Sequence, residues 1–111
     1  DELLQLAAGT IVGQLRTADV AARYGGDEFI LLLPQTDADR AHVLGERIIT
    51  RFTSEQSERL PDATVRMSVG IASLHSVGVK DAEALIRAAD NALYNAKAAG
   101  KNRIVDAAPA A

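Results

Sequence analysis

The 111-residue chain contains no cysteine and no tryptophan. The lack of thiols excludes disulfides and thiolate metal sites. Positive charge is also scarce: 12 lysines and arginines face 15 acids, for a net charge of −3. That balance argues against a surface that coats nucleic acid, although a few local cations can still hold one nucleotide. No apolar run approaches the length needed to cross a membrane, and no signal peptide is visible. A soluble, cytoplasmic domain with no membrane contact of its own is therefore expected. Internal repeats are absent, and the only biased stretch is the Ala/Pro tail at 107–111, which should fray. His42 and His75 have no partner at metal-ligand spacing and read as surface residues. No Ser/His/Asp or P-loop arrangement occurs. What the chain does have is 48% apolar residues, enough for one core and one domain.

The pattern of those residues predicts alternating elements. Leu4, Ala8, Ile11 and Leu15 recur three or four apart, giving a helix over 1–16 with Asp1 and Glu2 at its start and Arg16 at its end. Residues 20–24 and 28–33 read as the strands of a hairpin, the second apolar throughout and so buried on both faces. Pro34 ends it. Thr36 or Asp37 caps a helix over about 37–53 with Ala41, Leu44, Ile48 and Phe52 inward. Ser54–Asp62 is polar and contains Pro61, so a loop is expected there. Val65, Met67, Val69 and Ile71 alternate with smaller or polar residues, a strand over about 64–73. After a loop over 74–80, Asp81 caps a helix over 82–99 with Leu85, Ala89, Leu93 and Ala96 inward. Gly100 closes it in a left-handed cap. A short strand follows at 103–105. The fold class is α/β: packed helices on a mixed or antiparallel sheet.

Gly25-Gly26 sits between the two apolar runs of the hairpin, where a tight turn asks for positive φ and glycine supplies it at no steric cost. Asp27 and Glu28 follow at once. Neighbouring acids repel and serve a strand poorly. They suit a divalent cation that carries phosphate, with the bare glycine backbone allowing close approach. Judged on the turn alone, an exposed acidic turn is as good a reading.

Arg23-Tyr24-Gly25-Gly26-Asp27-Glu28-Phe29 resembles the signature of the GGDEF family, the catalytic domain of diguanylate cyclases. Further landmarks follow the family's order: Asp1-Glu2-Leu3-Leu4, Arg16-Thr17-Ala18-Asp19, Ser68-Val69-Gly70-Ile71-Ala72, Ala89-Asp90-Asn91-Ala92-Leu93-Tyr94-Asn95-Ala96-Lys97, and Gly100-Lys101-Asn102-Arg103. The resemblance implies a polymerase-palm or adenylyl-cyclase-like fold over 1–106 and condensation of two GTP molecules into cyclic di-GMP and pyrophosphate by a homodimer. It makes Asp27 the ligand of Mg²⁺ or Mn²⁺ and Glu28 its catalytic assistant. Gly25, Gly26, Asp1, Lys97 and Lys101 would hold substrate: Asp1 at the guanine edge, the lysines at the triphosphate. Arg16, Asp19 and Arg47 would form a product-inhibition site for cyclic di-GMP. Each has a plainer reading. Asp1 can cap a helix, the lysines can offset a helix dipole, Arg16 and Asp19 can be a surface ion pair, and Arg47 an exposed helix charge. Asp90, Asn91, Tyr94 and Asn102 are assigned to packing and capping, and Arg23 to a structural role near the hairpin.

The resemblance starts part-way into the family pattern. The family's first helix and first strand, with an aspartate that completes the metal site and an asparagine for the base, have no counterpart here. That strand lies between the hairpin and the strand at 64–73. The expectation is a piece of a longer chain, inactive alone, with two apolar strand edges facing each other and seeking a partner. The other functional class to weigh is a receptor module that binds cyclic di-GMP through Arg16 and Asp19 without turnover.

Overall fold

The computed structural model describes residues 1–74, 78 and 80–107. His75, most of the loop at 74–80 and the tail from 108 lie outside the described residues. The order is α1 (Glu2–Gly13), β1 (Val20–Arg23), β2 (Phe29–Leu32), α2 (Ala38–Arg59), β3 (Val69–Ile71), α3 (Ala82–Ala98) and β4 (Ile104–Asp106).

Capping sets the helix starts. Asp1, Asp37 and Asp81 each accept a hydrogen bond from a first-turn amide, those of Leu3, Arg40 and Ala84, all at 2.8 Å. Helix α1 stops at Gly13, so Arg16 stands beyond it and does not complete its last turn. Helix α2 runs to Arg59, through the stretch expected to be loop. Polar residues sustain it: Glu55 pairs with Arg51 and Arg59, one turn away on either side, at 3.2 Å each. One more turn brings Gln56 to the inner face, where it is buried and fixes Val65.

Helix α3 ends in a Schellman motif. The amide of Gly100 donates to Lys97 O (3.3 Å) and that of Lys101 to Ala96 O (3.0 Å), with Gly100 at φ 121°. The left-handed backbone then continues through Lys101 (φ 63°) and Asn102 (φ 49°), a conformation that costs a side-chain-bearing residue about 1–3 kcal/mol.

The strands form two separate ribbons. β1 and β2 are antiparallel, with Val20 opposite Leu32 and Arg23 opposite Phe29. β3 and β4 are parallel, with Val69 opposite Ile104 and Ile71 opposite Asp106. Ala107 extends this second ladder, its amide donating to Ile71 O at 2.7 Å, so the first residue of the tail is tied down. No strand among the described residues lies between the ribbons. They flank a cavity of about 1490 Å³ walled by β2, β3 and the inner faces of all three helices.

That cavity explains where burial falls short of expectation. Phe29, Ile30 and Leu31 are half-buried and Leu32 is exposed, so β2 is not covered on both faces. Leu85, Ala89 and Leu93 face inward yet stay half-buried because they line the open space. The core proper gathers Ile11, Leu44 and Ile48, with Leu15, Ala21, Phe29, Leu31, Leu33 and Met67 packed on it. The strand expected over 64–73 shrinks to Val69–Ile71, because only those residues meet β4. Gly70 is where α3 crosses β3: a Cβ there would lie 2.3 Å from both Ala89 O and Leu93 N. Only glycine permits that approach.

Candidate active site

The hairpin loop comprises residues 24–28. Glu28 O accepts the amides of Tyr24 (2.8 Å) and Gly25 (3.4 Å) and closes it. Arg23 clamps its outside, with Nε donating to Gly25 O (3.2 Å) and Nη2 to Gly26 O (2.5 Å). Neither glycine adopts the positive φ that a tight two-residue turn would need. The longer loop reverses the chain without it. Nor do contacts within the chain demand glycine. A Cβ on Gly26 would meet nothing within 4 Å, and one on Gly25 would make only an ordinary contact with Glu28 Cβ at 3.9 Å. The bare backbone here therefore has no internal cause in turn geometry or packing.

Asp27 is exposed and Glu28 half-buried. Among the described residues neither carboxylate has a hydrogen-bond or ion-pair partner. Both line the central cavity, and so do Asp1, Lys97 and Lys101. Five of the residues singled out in the sequence thus come to one cavity from three places: the start of α1, the hairpin loop, and the end of α3 with its closing turn. Asp1 also performs its plainer job, capping α1. Gly25 and Gly26 stand beside the cavity wall without lining it.

Asp90 joins the lining, a residue assigned from sequence to packing and capping. Its spacing held a usable signal, since seven residues to Lys97 is two helical turns and hence one face. Among the described residues no set of three histidine, aspartate or glutamate side chains could hold a metal. Two adjacent unpaired carboxylates do fit Mg²⁺, which binds through one or two carboxylates and completes its shell with water and substrate phosphate. They do not make a closed protein cage.

Arg16 and Asp19 form a second, separate cluster. The carboxylate of Asp19 accepts from Arg16 Nη2 (3.1 Å), Nε (3.4 Å) and the Arg16 amide (2.8 Å). Arg16 Nη2 also reaches Pro34 O (2.9 Å) and Thr36 Oγ1 (2.8 Å), tying the start of β1 to the exit of β2. The Arg16 side-chain hydrogen bond, with the amide behind it, holds the Asp19 carboxyl below the ordinary aspartate range. The Arg16 side chain remains 59% exposed. Arg47 stands exposed on α2, and no hydrogen bond or ion pair among the described residues joins it to Arg16 or Asp19. His42 is half-buried and has two carboxylate neighbours: Glu46 at 3.7 Å, one helical turn on, and Asp106 at 3.5 Å, which sequence spacing does not show.

No helix among the described residues is long and apolar enough to cross a membrane. The family model described as "Diguanylate cyclase, GGDEF domain" matches residues 1–103. The chain is 39% identical over 107 residues to diguanylate cyclase DgcM of Escherichia coli, covering 96% of this chain and 25% of that protein. It is 37% identical to diguanylate cyclase A of Treponema denticola, covering 94% and 28%. It spans about a quarter of the length of these curated relatives. The solved structure of the active GGEEF domain of a diguanylate cyclase from Vibrio cholerae superposes with a TM-score of 0.85 at 33% identity, over 96% of this chain and 67% of that one. The mixed α/β, palm-like architecture is therefore shared, and the chain belongs to the GGDEF domain family of diguanylate cyclases.

Proposed function

We propose that this chain belongs to a cytoplasmic catalytic domain that condenses two GTP molecules into cyclic di-GMP, each of two facing domains holding one GTP. The observation that carries the reading is the pair Asp27 and Glu28, unpartnered on the wall of one cavity with Lys97 and Lys101, beside glycines whose missing Cβ atoms the chain itself does not require. Carboxylates left free on a loop clamped by Arg23 are available to a ligand, and two lysines across the same cavity supply the charge a triphosphate needs.

In this reading Lys97 and Lys101 bind the β- and γ-phosphates and orient the α-phosphorus. Asp1 accepts the guanine N–H donors, and the Gly25-Gly26 backbone lets the nucleotide lie against the loop. Asp27 would hold Mg²⁺ or Mn²⁺, which when bound neutralises phosphate charge and sharpens the 3′-oxygen as a nucleophile. Glu28, one residue on, accepts the hydrogen bond of the 3′-hydroxyl. The 3′-oxygen of one GTP attacks the α-phosphorus of the other, pyrophosphate leaves, and the reciprocal attack closes the ring. Arg16 and Asp19, with Arg47 from α2, take the cyclic di-GMP product and restrain turnover. Because the described residues offer only two carboxylates to a metal, the 111-residue chain alone turns over little or no GTP.

The test is incubation of this chain, and of any longer chain that contains it, with GTP and Mg²⁺, followed by assay of pyrophosphate and cyclic di-GMP. Product from the longer chain, abolished by Asp27→Asn or Glu28→Gln, supports the reading. Cyclic di-GMP binding with no turnover in either protein would replace it with the receptor function.

A further inference from the structure

We infer that Arg103 is a positioning residue for Lys101, setting the ammonium group that binds the triphosphate; the inference rests on the function proposed above. Three consecutive residues, Gly100, Lys101 and Asn102, have left-handed backbone. Glycine adopts that conformation freely, and asparagine tolerates it, but lysine does not favour it. Lys101 is therefore held there by its surroundings.

Its peptide groups are pinned on both sides. The Lys101 amide donates to Ala96 O at 3.0 Å, as the last bond of α3. The Lys101 carbonyl accepts from Arg103 Nε at 3.2 Å. The guanidinium of Arg103 lies back over the turn, so that a Cβ on Gly100 would stand 3.0 Å from Arg103 Nη2. Gly100 thus serves two ends: it supplies the helix cap and leaves room for the arginine. The backbone of Arg103 is anchored in turn, its carbonyl accepting the amide of Val69 at 3.0 Å at the foot of the β3–β4 ladder. A continuous chain of bonds runs from the sheet through Arg103 to Lys101, and Lys101 lines the cavity with Asp27 and Glu28. Arg103 has no carboxylate partner among the described residues and does not line that cavity, so it acts on a ligand through Lys101.

The experiment compares the affinity of the full 111-residue chain for GTP and GMP, each with Mg²⁺, by calorimetric titration. The proteins are the unaltered chain, Lys101→Ala, Arg103→Ala, the double variant, and the milder Arg103→Gln and Arg103→Lys, which keep a donor for the carbonyl. The expected result is that Arg103→Ala and Lys101→Ala each weaken GTP by about five- to tenfold and GMP hardly at all. The double variant should be no worse than either single one, because both remove the same contact. Arg103→Lys and Arg103→Gln should recover part of the loss. A purely structural arginine would weaken both nucleotides alike, and that outcome overturns the inference. So does a GTP loss that multiplies in the double variant, which would mean that Arg103 touches the phosphates itself. If Lys101→Ala weakens GTP and the Arg103 variants do not, the positioning role alone fails. If the unaltered chain does not distinguish GTP from GMP, the proposed function fails and the inference falls with it.

Discussion

Gln56 and Val65 are joined by two hydrogen bonds of 2.9 Å, the side-chain amide donating to Val65 O and its oxygen accepting the Val65 amide. The side chain thereby copies the pairing a neighbouring strand would give, and it is 95% buried while doing so. Replacing it with leucine keeps the bulk and strips both partners from Val65. Unmet backbone groups cost about 1–3 kcal/mol each when buried, and Val65 is partly open to water. Gln56→Leu should therefore lower stability by about 2 kcal/mol, read as a shift in the urea midpoint with an unchanged slope.

The same pair shows what sequence could and could not reveal. The order of elements, the capping aspartates and the inward positions of α2 were legible, because periodicity and caps are local properties. The length of α2 was not: Ser54–Arg59 has no apolar residue to mark a face, and its helix depends on ion pairs and on Gln56 finding Val65. The alternation at Val65–Ile71 predicts a longer strand than forms, because a ladder needs a neighbour and only Val69–Ile71 has one. A motif names Asp27, Glu28, Lys97 and Lys101 in the sequence, and the fold brings all four to the wall of one cavity. The structural place of Arg23 at the hairpin was legible too, whereas the bond from Arg103 to Lys101 and the placement of Asp90 depend on side-chain direction. The turn at Gly25-Gly26 was misjudged because two adjacent glycines fit a tight positive-φ turn as readily as the longer loop that forms.

Asp19 gives the chain an acid-sensitive bond. Its carboxyl is held below the ordinary 3.8 by the Arg16 guanidinium and then the Arg16 amide. A depressed folded value means that the ionised form is favoured by folding. The stability it contributes is complete above the unfolded value and is lost as pH falls through the folded one. Asp19→Asn should therefore be less stable than the parent at neutral pH. The gap should close in acid, below about 3.8. Urea melts of both proteins along a pH series check this, and a gap independent of pH would show that the charge is not what matters.

Arg16 joins that carboxylate to Pro34 and Thr36, and the proposed function gives it cyclic di-GMP as well. A hydrogen bond to a charged group contributes about 1.5–3 kcal/mol. Arg16→Ala should therefore weaken cyclic di-GMP by about tenfold or more. In a chain that turns over GTP, product inhibition should be relieved with initial turnover kept. Thr36→Val, which removes one internal partner and leaves the guanidinium, should retain inhibition. Loss of initial turnover in Arg16→Ala would reassign the arginine to the scaffold.

Two glycines separate fold from function most sharply. At Gly70 a Cβ would sit 2.3 Å from backbone atoms of Ala89 and Leu93, and neither can swing aside as a side chain would. Forcing β3 from α3 should cost about 3 kcal/mol or more, so Gly70→Ala is expected to melt far below the parent or not to fold. At Gly26 a Cβ meets nothing, and the backbone is not left-handed. Gly26→Ala should leave stability within about 0.5 kcal/mol. If a nucleotide lies against this loop, the added methyl group meets the ligand instead, and GTP affinity should fall while the melting temperature stays put. A Gly26→Ala protein that binds GTP as well as its parent would mean that the loop's bare backbone serves no ligand, and would remove the main support for placing the nucleotide there.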